Sequence, residues 1–115
     1  MFIAIILPLF GCATVQRAAD IVTGTAVLEQ KKTADIALAK IKCQELCQNE
    51  IGAGRDLDAG PCLSDSLIPG WVCDVAHNPR AEADNLPQNQ CAAFRSGQAG
   101  HFVEVDGNCN LIKAY

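Results

Sequence analysis

Seven cysteines in a 115-residue chain constrain this fold more than any other feature, and their placement divides them six to one. Cys43, Cys47, Cys62, Cys73, Cys91 and Cys109 all lie in the polar part of the chain, whereas Cys12 sits alone in an apolar run. An even set of spread cysteines in a small, loop-rich domain fits three disulfides formed in an oxidising compartment. Spacing does not reveal which cysteine pairs with which. A reduced, zinc-binding alternative calls for paired C-x2-4-C knuckles. Only Cys43 and Cys47 come near that spacing, as a C-x3-C, and no metal site is expected.

The need for staples is independent of the cysteine count. One Trp, one Tyr and four Phe leave little bulk for a core, and a domain of this size is marginal without cross-links. The formal charge of −4 argues against a nucleic-acid partner, because such partners are held by clustered Lys and Arg that displace phosphate counterions.

Residues 2–15, FIAIILPLFGCATV, carry no charge and are short for a comfortable membrane crossing, but they match the length of a signal-peptide core. Leu9-Phe10-Gly11-Cys12 resembles the lipobox of membrane lipoproteins. That resemblance implies removal of residues 1–11 and a diacylglyceryl group on Cys12, and it accounts for the odd cysteine. A second resemblance is architectural. An apolar N-terminal segment running into a polar, amphipathic helix and then a small head is similar to type IV pilin-like subunits. It implies a retained helix that anchors the subunit in a membrane and later self-assembles into a filament. A plain uncleaved anchor is the third reading, and all three tether an extracytoplasmic domain to a membrane at its N-terminus.

From Ala26 to Ile51 the periodicity is helical. Ala34, Leu38 and Ile41 form one apolar stripe, and Ile36, Cys43, Cys47 and Ile51 form a neighbouring one. Gly52 and Gly54 signal the stop. Cys43 and Cys47 lie one turn apart on one face, so each is expected to reach across to the head rather than to bridge the other. Beyond Arg55, turn formers punctuate the chain (DAGP, IPGW, HNPR, DNLPQNQ). HFVEV and CNLIKAY flank Asp106-Gly107-Asn108 and read as a terminal hairpin.

Two groups invite chemistry. Asp56, Asp58 and Gly60 in RDLDAGPC look like the opening of a calcium loop, although turn and cap chemistry explains them equally well. GWVCDVAH around Cys73 and HFVEVD at 101–106 are similar to the nucleophile and histidine segments of transglutaminase-like enzymes. That likeness implies a Cys73 thiolate activated by His101, and it requires a free thiol at Cys73; His77 lies in the same stretch. Trp71, Phe94, Phe102 and Tyr115 are expected to supply the core of the head.

The sequence thus predicts an α+β protein: a long N-terminal hydrophobic and amphipathic helix, then a small, loop-rich head with three disulfides and a C-terminal β-hairpin. Its segments are an anchor or signal at 1–28, a helical stalk at 29–52 and a head at 53–115. The expected role is non-catalytic and structural or adhesive at the cell envelope, without a cofactor. The alternatives are a pilin-like subunit and, more remotely, a thiol enzyme.

Overall fold

The computed structural model describes residues 24–115; Cys12, the lipobox-like residues 9–12 and the rest of the apolar segment to residue 23 lie outside them. The chain divides into two compact units, Met1–Ala34 and Asp35–Tyr115. In the first, the described residues are the opening turns of helix α1, where Thr33 Oγ1 donates to the Glu29 carbonyl at 3.0 Å. Among the described residues, no helix is long and apolar enough to cross a membrane.

Helix α1 spans Gly24–Gly52. It ends as its glycines predict. Gly54 takes φ +86°, and the N–H of Arg55 closes back on the Glu50 carbonyl at 3.0 Å, so the last carbonyls keep partners. The second unit then builds a four-stranded sheet in sequence order: β1 (Cys62–Ile68), β2 (Trp71–Val75), β3 (His101–Val105) and β4 (Leu111–Ala114). Strands β1 and β2 are antiparallel across the tight Pro69-Gly70 turn, with Gly70 at φ +82°. Strands β3 and β4 form the expected hairpin. Asp106 organises its turn by accepting the N–H groups of Asn108 and Asn110, each at 2.9 Å.

The central pair, β2 and β3, is parallel, with Trp71 opposite His101 and Val75 opposite Val105. A parallel pair needs a crossover. Residues 76–100 supply it through the 3-10 turns Glu82–Asn85 and Pro87–Asn89 and the short helix α2 (Ala92–Arg95). Asp65 Oδ1 accepts the Ala93 N–H at 2.9 Å and ties the start of α2 to β1.

Alternation along β2 and β3 gives the sheet two faces. Trp71, Cys73, Val75, Val103 and Val105 face α1 and pack with Ala39, Cys43, Cys47 and Leu57. Val72 and Phe102 belong to the opposite face, where they pack with Cys91, Ala93 and Ala99 of the crossover. The buried stripe of α1 is therefore Ala39-Cys43-Cys47. Leu38 and Ile41, of the Ala34-Leu38-Ile41 stripe, point away from the sheet and are 44% and 55% exposed. Small side chains won this face because the helix must come close enough to be cross-linked.

Those cross-links are Cys43–Cys73 and Cys47–Cys109, with Cα separations of 5.4 and 5.6 Å. The third, Cys62–Cys91, joins β1 to the residue before α2. All six cysteines of the described residues are oxidised, two of the bridges clamp the helix to the sheet, and the set points to an extracytoplasmic, disulfide-stabilised domain. Cys109 lies in the hairpin turn ahead of β4 rather than within the strand, in the left-handed region at φ +68°.

Candidate functional site

The crossover does not seal the second face of the sheet. It leaves a cavity of about 440 Å³ floored by Val72, Asp74, Phe102 and Glu104 from β2 and β3. Arg80, Gln90, Cys91, Phe94 and Arg95 of the crossover form its walls. The register fixes the floor: Val72 pairs with Phe102 and Asp74 with Glu104, so an apolar pair and an acidic pair lie in successive rows. On the far side of β3, Lys113 continues the acidic row opposite Glu104.

The two carboxyls are treated differently. Glu104 Oε2 accepts Arg80 Nη1 at 3.1 Å. Asp74 Oδ1 is buried and accepts no hydrogen bond. Burial, then the charge of Glu104, push Asp74 up to about 7, against the opposing pull of Arg80. An acid that changes charge near neutral pH, at the wall of a cavity, is the most chemically distinctive group of the domain.

Phe94 meets Phe102 edge to face, with ring centroids 5.0 Å apart, and Phe102 stacks on Tyr115 at 5.6 Å. Of the four aromatics expected as core, only Trp71 is deeply buried; Phe94 is 38% and Tyr115 65% exposed. The reason is positional: Phe94 rides on the crossover above the open face, and Tyr115 flanks it at the chain end. These rings form an accessible aromatic row beside the acidic one.

A buried network holds the crossover in place. Asp84 is only 3% exposed. Its Oδ2 accepts the N–H groups of His77 and Ala81, and its Oδ1 accepts His77 Nδ1 at 2.8 Å. Burial alone would raise Asp84, but those donors outweigh it and hold the carboxyl below its ordinary range. His77 Nε2 donates to the Asp58 carbonyl at 2.8 Å. With an acceptor at each ring nitrogen, the ring that satisfies both is the imidazolium. The bond to Asp84 is the main cause of the raised His77 pKa. Gly60 lies against this pair at φ +73°, where a Cβ would stand 2.7 Å from Asp84 Oδ1. The main-chain oxygen of Asp84 accepts Arg80 Nη2 and Gln90 Nε2, which connects the network to the cavity wall.

The residues singled out in the sequence fall differently. Cys73 is fully buried in its bridge to Cys43, and a disulfide sulfur has no thiolate for a histidine to activate. His101 stacks on Trp71 at 4.7 Å, and its Nδ1 faces the Tyr115 carbonyl. The Cys73–His101 pair is therefore not assembled as a nucleophile and base. The calcium-like stretch is a turn: Asp56 Oδ1 accepts the Asp58 N–H at 2.9 Å, and Asp58 contributes its main-chain oxygen to His77. Sulfurs of Cys62 and Cys91 lie near Asp65, but both are committed to their disulfide and offer no thiolate to zinc.

Asp74, Glu104, Arg80 and Asp84 escaped the sequence reading. The available signal was the likeness of WVCDV and HFVEV, which place an acid at the same strand position. The chain matches no known protein family, no curated protein and no solved structure.

Proposed function

We propose that the chain is a non-catalytic cell-envelope protein, tethered to a membrane at its N-terminus, whose disulfide-stapled unit has a structural or adhesive, ligand-recognising role. The observation that carries this reading is the closed pairing of six cysteines. It implies export, and it leaves Cys12 as the odd sulfur in an apolar segment that resembles a lipobox. Anchoring is then through a lipid on Cys12, after loss of residues 1–11.

The test is an intact mass of the protein from its native membrane, unreduced, with free thiols alkylated. A mass lacking residues 1–11, with lipid on Cys12 and six oxidised cysteines, is expected. An intact apolar segment with an alkylated Cys12 would overturn lipidation.

One observation favours a second form of the same role. Leu38 and Ile41 expose apolar surface on the side of α1 opposite the cross-linked stripe, as a helix that self-assembles in a pilin-like filament requires. Detergent-resistant filaments in the same membrane preparation would select this form.

A further inference from the structure

We propose that the cavity between the crossover and the sheet binds a neutral saccharide ring. This deepens the recognition role proposed above and rests on it, by naming the ligand chemistry.

Size admits the ligand: about 440 Å³ lies within the range of small-molecule sites. The lining is divided as a sugar ring is divided. A pyranose has an apolar C–H face and a rim of hydroxyls, each able to donate and accept. Val72, Phe94 and Phe102 supply apolar and aromatic surface. Asp74 and Glu104 supply acceptors one strand apart, and Arg95 supplies donors. The Gln90 amide already donates to the Asp84 carbonyl, which leaves its oxygen to accept. The carboxyl of Asp74 carries an oxygen with no protein donor, and a ligand hydroxyl is a donor without a charge.

Charge separates this ligand from its rivals. Two guanidiniums, Arg80 and Arg95, stand against two carboxyls in the lining, and Arg80 already pairs with Glu104. Lys113 adds a cation beside Glu104 on β4. An ammonium ligand meets the Arg80 and Arg95 guanidiniums at the walls, with Lys113 over the neighbouring Phe102 and Tyr115 rings. An anion meets Asp74 and Glu104 at the floor. A neutral polyol pays neither penalty.

The test is amide chemical-shift mapping on the oxidised full chain, held in a non-glycosidic zwitterionic detergent. The probes are methyl β-glucoside, methyl α-mannoside, N-acetylglucosamine and its β-linked dimer, with phenethylamine and benzoate as charged aromatic rivals. Titration to about 10 mM covers weak specific sites. At least one saccharide is expected to shift Asp74, Gln90, Phe102 and Glu104 together. Asp74→Asn should weaken that binding about ten-fold. Phe94→Ala, which removes an exposed ring and leaves the core alone, should weaken it roughly five-fold. Shifts produced by phenethylamine or benzoate and by no saccharide would overturn the proposal, as would no shift from any probe. Saccharide binding that both variants leave unchanged would also overturn it. A lipidated chain that binds no saccharide refutes this site alone, whereas a saccharide-binding chain without lipid refutes only the anchor.

Discussion

Asp74 is held by its surroundings in a protonation state that an exposed aspartate would not keep. Burial and the charge of Glu104 raise it from 3.8 to about 7, so between those values the folded chain binds a proton that the unfolded chain has released. Stability therefore falls as pH rises through that interval and levels off above it. Other shifted groups act elsewhere. Asp84 and Asp106 sit below the ordinary carboxylate value and add stability that is lost only at lower pH. His77, raised above 6.5, adds stability that is lost as pH rises through its folded value. The window from about 4.5 to 6 thus belongs to Asp74. Asp74→Asn is expected to flatten urea-unfolding free energy across that window. It should stabilise the protein by about 2 kcal/mol at pH 7.5, after allowance for the solvent that reaches the group, and leave it unchanged near pH 3.5. A variant that keeps the wild-type slope would place the titrating group elsewhere. None of this was legible from the residue alone. An acid in an alternating strand reads as solvent-facing, and only the parallel register brings Asp74 beside Glu104. Asp84 lies among several acids and asparagines in a turn-rich stretch, with nothing local to mark it as the buried one.

At the scale of the element, α1 shows what periodicity captures and what it misses. Its extent and its glycine stop were legible, as was the face carrying Cys43 and Cys47. Its apolar inventory misled, because Leu38 and Ile41 are the bulkier residues yet face outward, while Ala39 lies fully buried against the sheet. The distance between helix and sheet is set by the cross-links, and a large side chain at position 39 has no room. Ala39→Leu should therefore cost about 1–3 kcal/mol in chemical denaturation through overpacking. Leu38→Gln and Ile41→Gln should each change stability by less than about 0.5 kcal/mol. The reverse order would mean that the Leu38–Ile41 stripe is covered in the measured species, as a filament would cover it. The terminal hairpin was legible because its turn carries Asp106-Gly107-Asn108 between β-prone runs. The β2–β3 pairing was not, since a parallel partner thirty residues away leaves no local turn signal.

For the whole molecule, the question is what holds the second unit together. Its fully buried larger side chains are Val72, Val75, Val103, Val105 and three cysteines; Trp71 and Leu57 are nearly as buried, and no Ile or Phe of the described residues joins them. Apolar burial on that scale leaves little margin over chain entropy. The bridges change the balance by restricting the unfolded chain. Cys43–Cys73 and Cys62–Cys91 close sequence separations of 30 and 29, each contributing about 3.6 kcal/mol in the chain-entropy treatment, and Cys47–Cys109 closes 62 for about 4.3 kcal/mol. Any one of these is a large fraction of the roughly 5–15 kcal/mol that separates folded from unfolded domains. Full reduction is therefore expected to unfold the sheet at room temperature. Amide exchange at Val72–Val75 and Val103–Val105 should accelerate together, since these strands share one core. Single removals should rank by loop and by location. Cys47→Ala with Cys109→Ala should cost the most, and Cys62→Ala with Cys91→Ala should loosen the crossover while leaving α1 on the sheet. In the latter variant, exchange should rise at Ala92–Arg95 and stay low at Cys43 and Cys47. A reduced chain that kept slow exchange in β2 and β3 would show that the valine core suffices by itself, and that the three bridges serve durability outside the cell rather than folding.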